Sequence, residues 1–170
     1  MREGVMDFDV YEGDTRYLGL ASVALPDVVQ KVLTVSGAGT GGDFELPTGR
    51  IDPMTATINF RSANNNQHNI TTMKQHKLTL RVAHINHNRS TGEISAVSTK
   101  YVLVVMPKKI TLGEVTPGAA QPVSGEFAVH RLEVYYSDKL ALKIDPVNGI
   151  YKDYSTSSLL AKFNKILGRS

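Results

Sequence analysis

Hydrophobic and polar residues alternate along several stretches of the chain, most regularly over residues 54–61. The residues of the apolar and then the polar face are Met54, Ala56, Ile58 and Phe60, and Thr55, Thr57, Asn59 and Arg61. In a strand, successive side chains point to opposite faces, so this pattern predicts a strand with one buried and one polar face.

Patterns of the same kind predict further strands, separated by turns rich in glycine, proline and asparagine. These strands cover residues 7–11, 16–23, 27–36, 77–87, 93–106, 126–136 and 140–145. The turn 88–92 makes an extended antiparallel hairpin of residues 77–106. Glycine and proline predict irregular loops over 44–53 and 107–125. Residues 67–75 predict a short helix.

The end of the chain changes to a helical period. Its apolar positions are Leu159, Leu160, Phe163, Ile166 and Leu167, which form one face of a helix. Ser155 or Thr156 would cap the start of this helix. We therefore expect a mainly β fold over residues 1–170, a single domain. It would be an antiparallel sandwich or barrel with a long hairpin and a C-terminal α-helix.

The amino-acid composition excludes several classes of protein function. The chain has 170 residues, no cysteine and a formal net charge of +3. Without cysteine there is no disulfide, thiolate metal site or thiol nucleophile. No apolar run approaches a membrane span, and the first residues lack the apolar core of a signal peptide. We therefore expect a protein made in the cytoplasm, with no stable membrane anchor.

The sequence contains little evidence for a cofactor, metal or catalytic site. The segment 37–42 matches the glycine pattern of dinucleotide sites, but Pro47 and Gly49 follow where that site needs a helix. His84 and His87 lie three apart, so a strand would point them to opposite faces, away from a shared metal. No G-x-S-x-G nucleophile motif occurs. We expect no enzyme activity, metal or cofactor.

Two other classes stay open at this point. A small-ligand-binding β-barrel would need an apolar internal pocket, which the few aromatic residues do not favour. A hydrolase or metal enzyme would have to use His84, His87 and His130. Basic residues, including Lys108 and Lys109, lack the interleaved aromatics of a single-strand nucleic-acid binder and are better explained as a solvated surface.

The order of several segments resembles one family. Leu25-Pro26-Asp27 precedes an extended segment that ends in the glycine-rich 36–39, and residues 46–54 (LPTGRIDPM) lead into the alternating strand. Residues 143–149 (KIDPVNG) then precede the predicted C-terminal helix. This order is similar to the major tail tube protein of contractile-tailed phages and R-type bacteriocins, whose fold the type VI secretion tube shares.

The resemblance implies a structural subunit. Six copies would form a ring whose strands close into one large inner barrel, and rings would stack into a hollow tube inside a contractile sheath. Further partners would be baseplate and tape-measure proteins. The tube would cross the target envelope and conduct DNA or ions. The mature protein would reside in the tail of a virion or in an extracellular bacteriocin particle; the sequence does not separate these two.

By the same resemblance, contacts between subunits or rings would involve the N-terminal strand and the glycine-rich region. The residues implied are Phe8, Val10, Gly37, Gly39, Gly41, Phe44, Leu46 and Arg50. The lumen would be lined by polar residues such as Thr55, Thr57 and Asn59, or by the polar face of the long hairpin.

Overall fold

A computed structural model describes residues 2–19, 21–37, 41–61, 65–88, 90–154 and 166–167. Within these residues the strands are β1 Arg2–Glu12, β2 Arg16–Tyr17, β3 Ala21–Ala24, β4 Gln30–Val35, β5 Phe44–Ile51, β6 Met54–Phe60, β7 His76–His87, β8 Ile94–Thr111, β9 Val123–Tyr136, β10 Lys139–Asp145 and β11 Ile150–Asp153. One short helix, α1 Asn65–Ile70, precedes β7. The mainly antiparallel β fold expected from the sequence is confirmed.

Two layers of sheet share the long strands β8 and β9. The seven-strand layer has the order β11-β10-β9-β8-β7-β1-β2, and the four-strand layer has the order β3-β6-β9-β8. The second edge of β9 is divided, because Val123–Val129 pair with β6 whereas Leu132–Tyr136 pair with β10. Each long strand therefore runs from one layer into the other.

A bulge at His130 allows β9 to serve both layers. Val104 pairs with Arg131 and Val105 pairs with Val129, so His130 is an extra residue on β9. Before the bulge odd-numbered residues are buried, and after it even-numbered residues such as Leu132 are buried. A bulge bends a strand and re-aims its side chains. The inward face of β9 therefore changes at the point where the layers separate.

The inward faces of the two layers form one hydrophobic core. The four-strand layer contributes the alternating apolar residues of β6, together with Phe127. The seven-strand layer contributes Val10, Leu78 and Leu103, and Ile70 from α1 also packs there. Apolar burial of this kind is the main stabilising contribution to folding. The alternation of β6 predicted its buried face correctly.

Strands β3 to β6 form one interrupted hairpin. Ala24 pairs with Thr57 and Gln30 pairs with Ile51 in the same register, and the N–H of Asp52 donates to the carbonyl of Val29 across the gap, at 2.9 Å. We call β3 and β6 the proximal half and β4 and β5 the distal ribbon. The ribbon belongs to no other sheet among the described residues.

The prediction of an irregular loop over 44–53 was wrong, because β5 occupies Phe44–Ile51. Pro47 is accepted because the ribbon has only two strands, so β5 has an edge where a missing N–H costs no ladder bond. Gly49 has φ 74°, a conformation that glycine adopts without strain. Pro47 and Gly49 are therefore accommodated within β5 and do not prevent the strand from forming.

The loop predicted over 107–125 was also too long. Strand β8 continues through Pro107 to Thr111, and β9 begins at Val123. Pro107 pairs with Phe127 next to a register shift, where a ladder tolerates proline. The predicted strand 16–23 is interrupted at Leu18, which turns into the core, and β11 was not predicted.

The short helix predicted over 67–75 occurs earlier, as α1 Asn65–Ile70, and ends where Ile70 enters the core. The C-terminal helix falls mainly on residues 155–165 and 168–170, which lie outside the described residues. In the part of the chain that the structure describes, no helix has the length and apolar character needed to cross a membrane.

Candidate assembly interface

Both edges of the four-strand layer are open. On one side, β3 pairs with β6 alone. On the other side, the β7 ladder ends where His76 pairs with Val105, so residues 106–111 of β8 pair only with β9. Among the described strands none covers either edge. Unpaired N–H and C=O groups along a strand edge are a template for pairing with another chain.

The outward face of the four-strand layer carries small polar side chains. They are Ser22, Thr55, Thr57, Asn59 and Ser124, with Glu126 further along β9. The Asn59 side chain donates to the Ser22 hydroxyl at 3.4 Å across the β3–β6 ladder. Glu126 is paired with Lys109 at 3.7 Å. Most of this face is hydrophilic, and its largest exposed apolar side chain is Met106, which pairs with Ala128 and is 39% exposed.

The outward face of the seven-strand layer is different because it carries large charged and aromatic groups. Lys143 pairs with Glu133 at 3.3 Å, and the Glu133 carboxylate accepts a hydrogen bond of 2.9 Å from Tyr135. Lys100 lies 4.4 Å from the centre of the Tyr135 ring, a cation–π contact. Burial raises the pKa of Tyr135, and the neighbouring Glu133 raises it further. This face is therefore crossed by side-chain networks.

The distal ribbon exposes an apolar face on the half of its length that lies farther from the core. Leu33 pairs with Leu46 and Val35 with Phe44, so the four side chains share a face. Leu33 is 59% exposed, and Phe44 and Leu46 are 46% and 47% exposed. The base of the ribbon is tied by the Thr48 hydroxyl, which donates to the carbonyl of Lys31 at 2.7 Å. An exposed apolar face without a core beneath it is a candidate interaction surface.

The residues implied as contacts fall into two groups. Phe44, Leu46 and Arg50 are exposed on the distal ribbon, and Gly37 and Gly41 are exposed beside it. Gly39 lies outside the described residues.

The remaining two, Phe8 and Val10, lie on β1. Val10 is 2% exposed and packs in the core opposite Leu80, and Phe8 packs against the same core. These two side chains are engaged within the protomer, so the ribbon side chains are the ones free to meet another copy.

The β8–β9 loop, residues 112–122, presents a second apolar surface. Leu112 and Val115 are 68% and 79% exposed. The loop is closed at its base, because the Gln121 side chain donates to the carbonyl of Leu112 at 2.7 Å. A Cβ on Gly113, whose φ is 75°, would lie 1.9 Å from the Pro122 carbonyl oxygen, so only glycine fits this closure. Sequence patterns did not single out Leu112 or Val115.

A buried polar cluster anchors the segment before β7. The ring Nδ1 of His76 lies 2.6 Å from a Glu12 carboxylate oxygen, and Nε2 lies 3.0 Å from the carbonyl of Thr72. Arg16 contacts the other Glu12 oxygen at 3.2 Å. Burial alone would raise the pKa of Glu12, but hydrogen bonds from His76 and Arg16 outweigh it and hold that pKa below its ordinary value. The cluster ties β1 to the turn after α1.

In the described residues, the side chains that could bind a metal or catalyse a reaction do not come together. There, no three His, Asp or Glu residues come together as a metal site, and His84 and His87 occupy opposite faces of β7. A concavity of about 580 Å³ is lined partly by charged residues: Asp7, Asp9, Arg81, Lys100 and Asp138. It does not resemble the apolar internal pocket that a small-ligand barrel needs.

Solved structures with this fold come from contractile injection systems. One is a chain of the sheath–tube complex of the extracellular contractile injection system PVC, with TM-score 0.54 and 15% identity over 78% of this chain and 90% of that one. Another comes from the PVC sheath/tube terminator, with TM-score 0.55, 15% identity, and coverage of 79% and 97%. A third is from the tube-terminating cap of the anti-feeding prophage, with TM-score 0.54, 15% identity, and coverage of 80% and 93%.

The fold is thus that of tube proteins of contractile injection systems. The model of the phage tail tube protein FII family matches residues 2–168. The chain belongs to this family, and it is a structural subunit of an inner tail tube. No curated protein matches the chain by sequence. The resemblance inferred from the order of its segments is confirmed.

Proposed function

We propose that six copies of this chain close into a ring through the two open edges of the four-strand layer, and that rings stack into a hollow tube. The observation that carries this proposal is that β3 and residues 106–111 of β8 are unpaired edges at opposite sides of one layer. Pairing β3 of one copy with β8 of the next satisfies both edges and repeats around a ring, which leaves no edge of the four-strand layer exposed.

In this ring the four-strand layer forms the inner wall. A continuous barrel has one face inside and one outside, and the apolar face of β6 is already occupied by the protomer core. The small polar face with Thr55, Thr57 and Asn59 is left to line the lumen. Hydroxyl and amide groups without bulky side chains suit a water-filled channel, whereas phosphate-binding cations would retain DNA.

A sheath and a baseplate are the expected partners of this tube. The similar chains of PVC belong to assemblies of sheath and tube, which supports a sheath around this tube. A further similar structure, with TM-score 0.51, comes from the baseplate of the anti-feeding prophage, which supports baseplate contact. The tube would enclose a tape-measure protein and conduct DNA or ions through the target envelope. It would be made in the bacterial cytoplasm and act in a virion or an extracellular particle.

Two edge variants test the ring. Ser22→Pro alters β3, and Thr111→Pro alters the end of β8, because proline removes an N–H and places a ring at the strand edge. Each variant alone should remain monomeric in negative-stain electron microscopy and analytical ultracentrifugation. An equimolar mixture should form heterodimers, because each variant keeps the edge that the other has lost. The unaltered protein should form rings or tubes of uniform width.

Matched variants separate edge loss from unfolding. Ser22→Ala and Thr111→Ala keep the backbone N–H, so both should assemble as the parent does. Circular dichroism and thermal unfolding of the proline variants should match the parent before assembly is compared. Rings formed equally well by both proline variants would disprove closure through these edges.

A further inference from the structure

A bulge in β8 places two lysines side by side on the polar face of the four-strand layer. In the β8–β9 ladder, Pro107 pairs with Phe127. The following pair is Lys109 with Glu126, so Lys108 is an extra residue on β8. Pro107 is buried, whereas Lys108 and Lys109 are both exposed. A bulge sets two residues of one strand against one residue of its partner and re-aims their side chains. Lys108 and Lys109 therefore both lie on the polar face, opposite Glu126.

The charges on this polar face do not balance. The Lys109 ammonium lies 3.7 Å from a Glu126 carboxylate oxygen, so these two charges offset each other. None of the ion pairs formed by the described residues includes Lys108. Exposed Arg61, which follows β6 at the same end of the layer, adds a second cation. A concave wall lined by charges of one sign concentrates ligands of the opposite sign. The inner wall of the proposed ring would therefore attract anions.

An apolar side chain lies beside the uncompensated lysine. Met106 pairs with Ala128 and is 39% exposed on the same face, two residues before Lys108. Methionine is flexible and adapts its shape to apolar partners. Duplex DNA presents mainly phosphates to a surrounding wall, with about one charge per 1.7 Å of helix axis. The described strands of this face carry no aromatic side chain on which an unpaired base could stack. A sparse cation next to a methionine fits a polypeptide with acidic and apolar side chains better than it fits a nucleic acid.

We propose that the inner wall of the tube binds an acidic polypeptide through a belt of Lys108 cations, one from each copy, with Met106 contacting its apolar residues. This inference rests on the proposed ring-and-tube function and names the chemistry of the cargo that the lumen holds. Contacts between exposed charges are individually weak. Repeated around each ring and along the tube, they hold such a chain in the lumen and still let it leave, because no single contact has to be broken at a high cost.

Binding of a labelled peptide to assembled tubes tests the belt. The probe is a rhodamine-labelled peptide of glutamate and leucine residues, and the measurement is its co-sedimentation with tubes at low salt. Lys108→Gln should weaken binding at least about tenfold, because every copy loses its uncompensated cation. Lys108→Arg keeps the charge and should bind as the parent does. The matched control Lys152→Gln removes an exposed lysine from β11, outside the four-strand layer, and should leave binding unchanged.

Adding charge to the belt gives the opposite test. Glu126→Gln removes the carboxylate that offsets Lys109, so its tubes should bind the peptide more tightly than the parent tubes. Added salt should weaken binding to both, because it screens exposed charges. Electron microscopy establishes that each variant forms tubes before binding is compared. If Lys108→Gln impairs assembly, Glu126→Gln decides, because it changes the charge of the belt without altering the β8 edge.

Failure of the belt and failure of the ring give different results. Equal binding by Lys108→Gln and Lys152→Gln tubes, or Glu126→Gln tubes that bind no more tightly than the parent, would overturn the belt and leave ring closure intact. Parent tubes that bind a labelled DNA duplex but not the peptide would overturn the polypeptide cargo in favour of a nucleic acid. An unaltered chain that never forms rings or tubes would overturn the proposed function and this inference with it.

Discussion

The proximal half and the distal ribbon of the β3–β6 hairpin both place apolar residues two apart on one face, but the environments of these faces are opposite. In the proximal half, every second residue of β6 is buried, with Ile58 1% exposed. In the distal ribbon, Leu33 and Leu46 form an equally apolar face that stays exposed. The difference is the presence of the seven-strand layer beneath one half and its absence beneath the other. Similar apolar alternation therefore builds a core in one half and leaves an exposed apolar face in the other.

The largest difference between the two halves should appear in assembly. Deleting the glycine-rich residues 37–42 shortens the end of the ribbon without touching the core under β6. We expect a folded protomer that forms rings and completely loses stacking. Electron microscopy should show isolated rings, and thermal unfolding of the dissociated protomer should be unchanged. Long tubes from the deletion variant would show that the end of the ribbon has no part in stacking.

A truncation in each half should separate their contributions to folding. Ile58→Ala removes buried methyl groups and leaves a cavity, so it should lower the free energy of unfolding by about 2–5 kcal/mol. Leu46→Ala in the ribbon should change that free energy by no more than about 0.5 kcal/mol. Urea unfolding at a protein concentration below assembly measures both, since assembly itself stabilises the folded state. Equal losses would mean that the ribbon is packed within the protomer.

A carboxylate in each region extends the comparison to pH. Glu12→Gln removes the charge that His76 and Arg16 bind, and should cost about 1–3 kcal/mol at neutral pH. Glu45→Gln on the exposed ribbon is the matched control, with little expected change.

The pH dependence follows from the lowered pKa of Glu12. A carboxyl with a lower pKa in the folded state stabilises the protein above its unfolded value, ordinarily 4.5, and loses that contribution as pH falls through the folded value. Urea unfolding from neutral pH to pH 3 should therefore show the gap between the parent and Glu12→Gln narrowing below about pH 4.5. A gap that stays constant would show that the Glu12 charge is not the cause.

The smallest effect belongs to the ion pair at the base of the ribbon. Lys31 lies 3.6 Å from Asp52, and both side chains are about half exposed, at 55% and 45%. Such pairs contribute little in water, so Asp52→Asn should change the free energy of unfolding by less than about 0.5 kcal/mol. Added salt should reduce even this difference. A loss of several kcal/mol would show that the ribbon base is coupled to the core.

Strands were predicted correctly where a single alternation of apolar and polar residues runs along the strand. The alternation of β6 and the long β7–β8 hairpin were predicted because apolar positions two apart fall on one face of any strand. Prediction fails at Pro47 and Pro107, because proline in a local pattern predicts an irregular loop and not a strand. Both lie in strands because the missing N–H falls at an edge or beside a register shift, and no local pattern reveals where an edge will be.

The residues that the resemblance implied as contacts divide in the same way. Phe44 and Leu46 were implied by resemblance and lie exposed on the ribbon, whereas Val10, implied equally, lies in the core. Nothing in the local sequence separates these apolar residues in strands. Leu112 and Val115 were missed because two apolar residues in a loop have no periodicity to mark them.

By itself the sequence determined the β class, the buried face of β6 and, through the order of its segments, the tail tube family. Those properties depend on side-chain period and on local turn chemistry, which a linear pattern records. Only the tertiary structure decided that β9 changes its inward face at His130, that β3 and β8 are left as edges, and that the ribbon extends past the core. These features depend on which strands become neighbours, and that is set by packing between residues far apart in the chain.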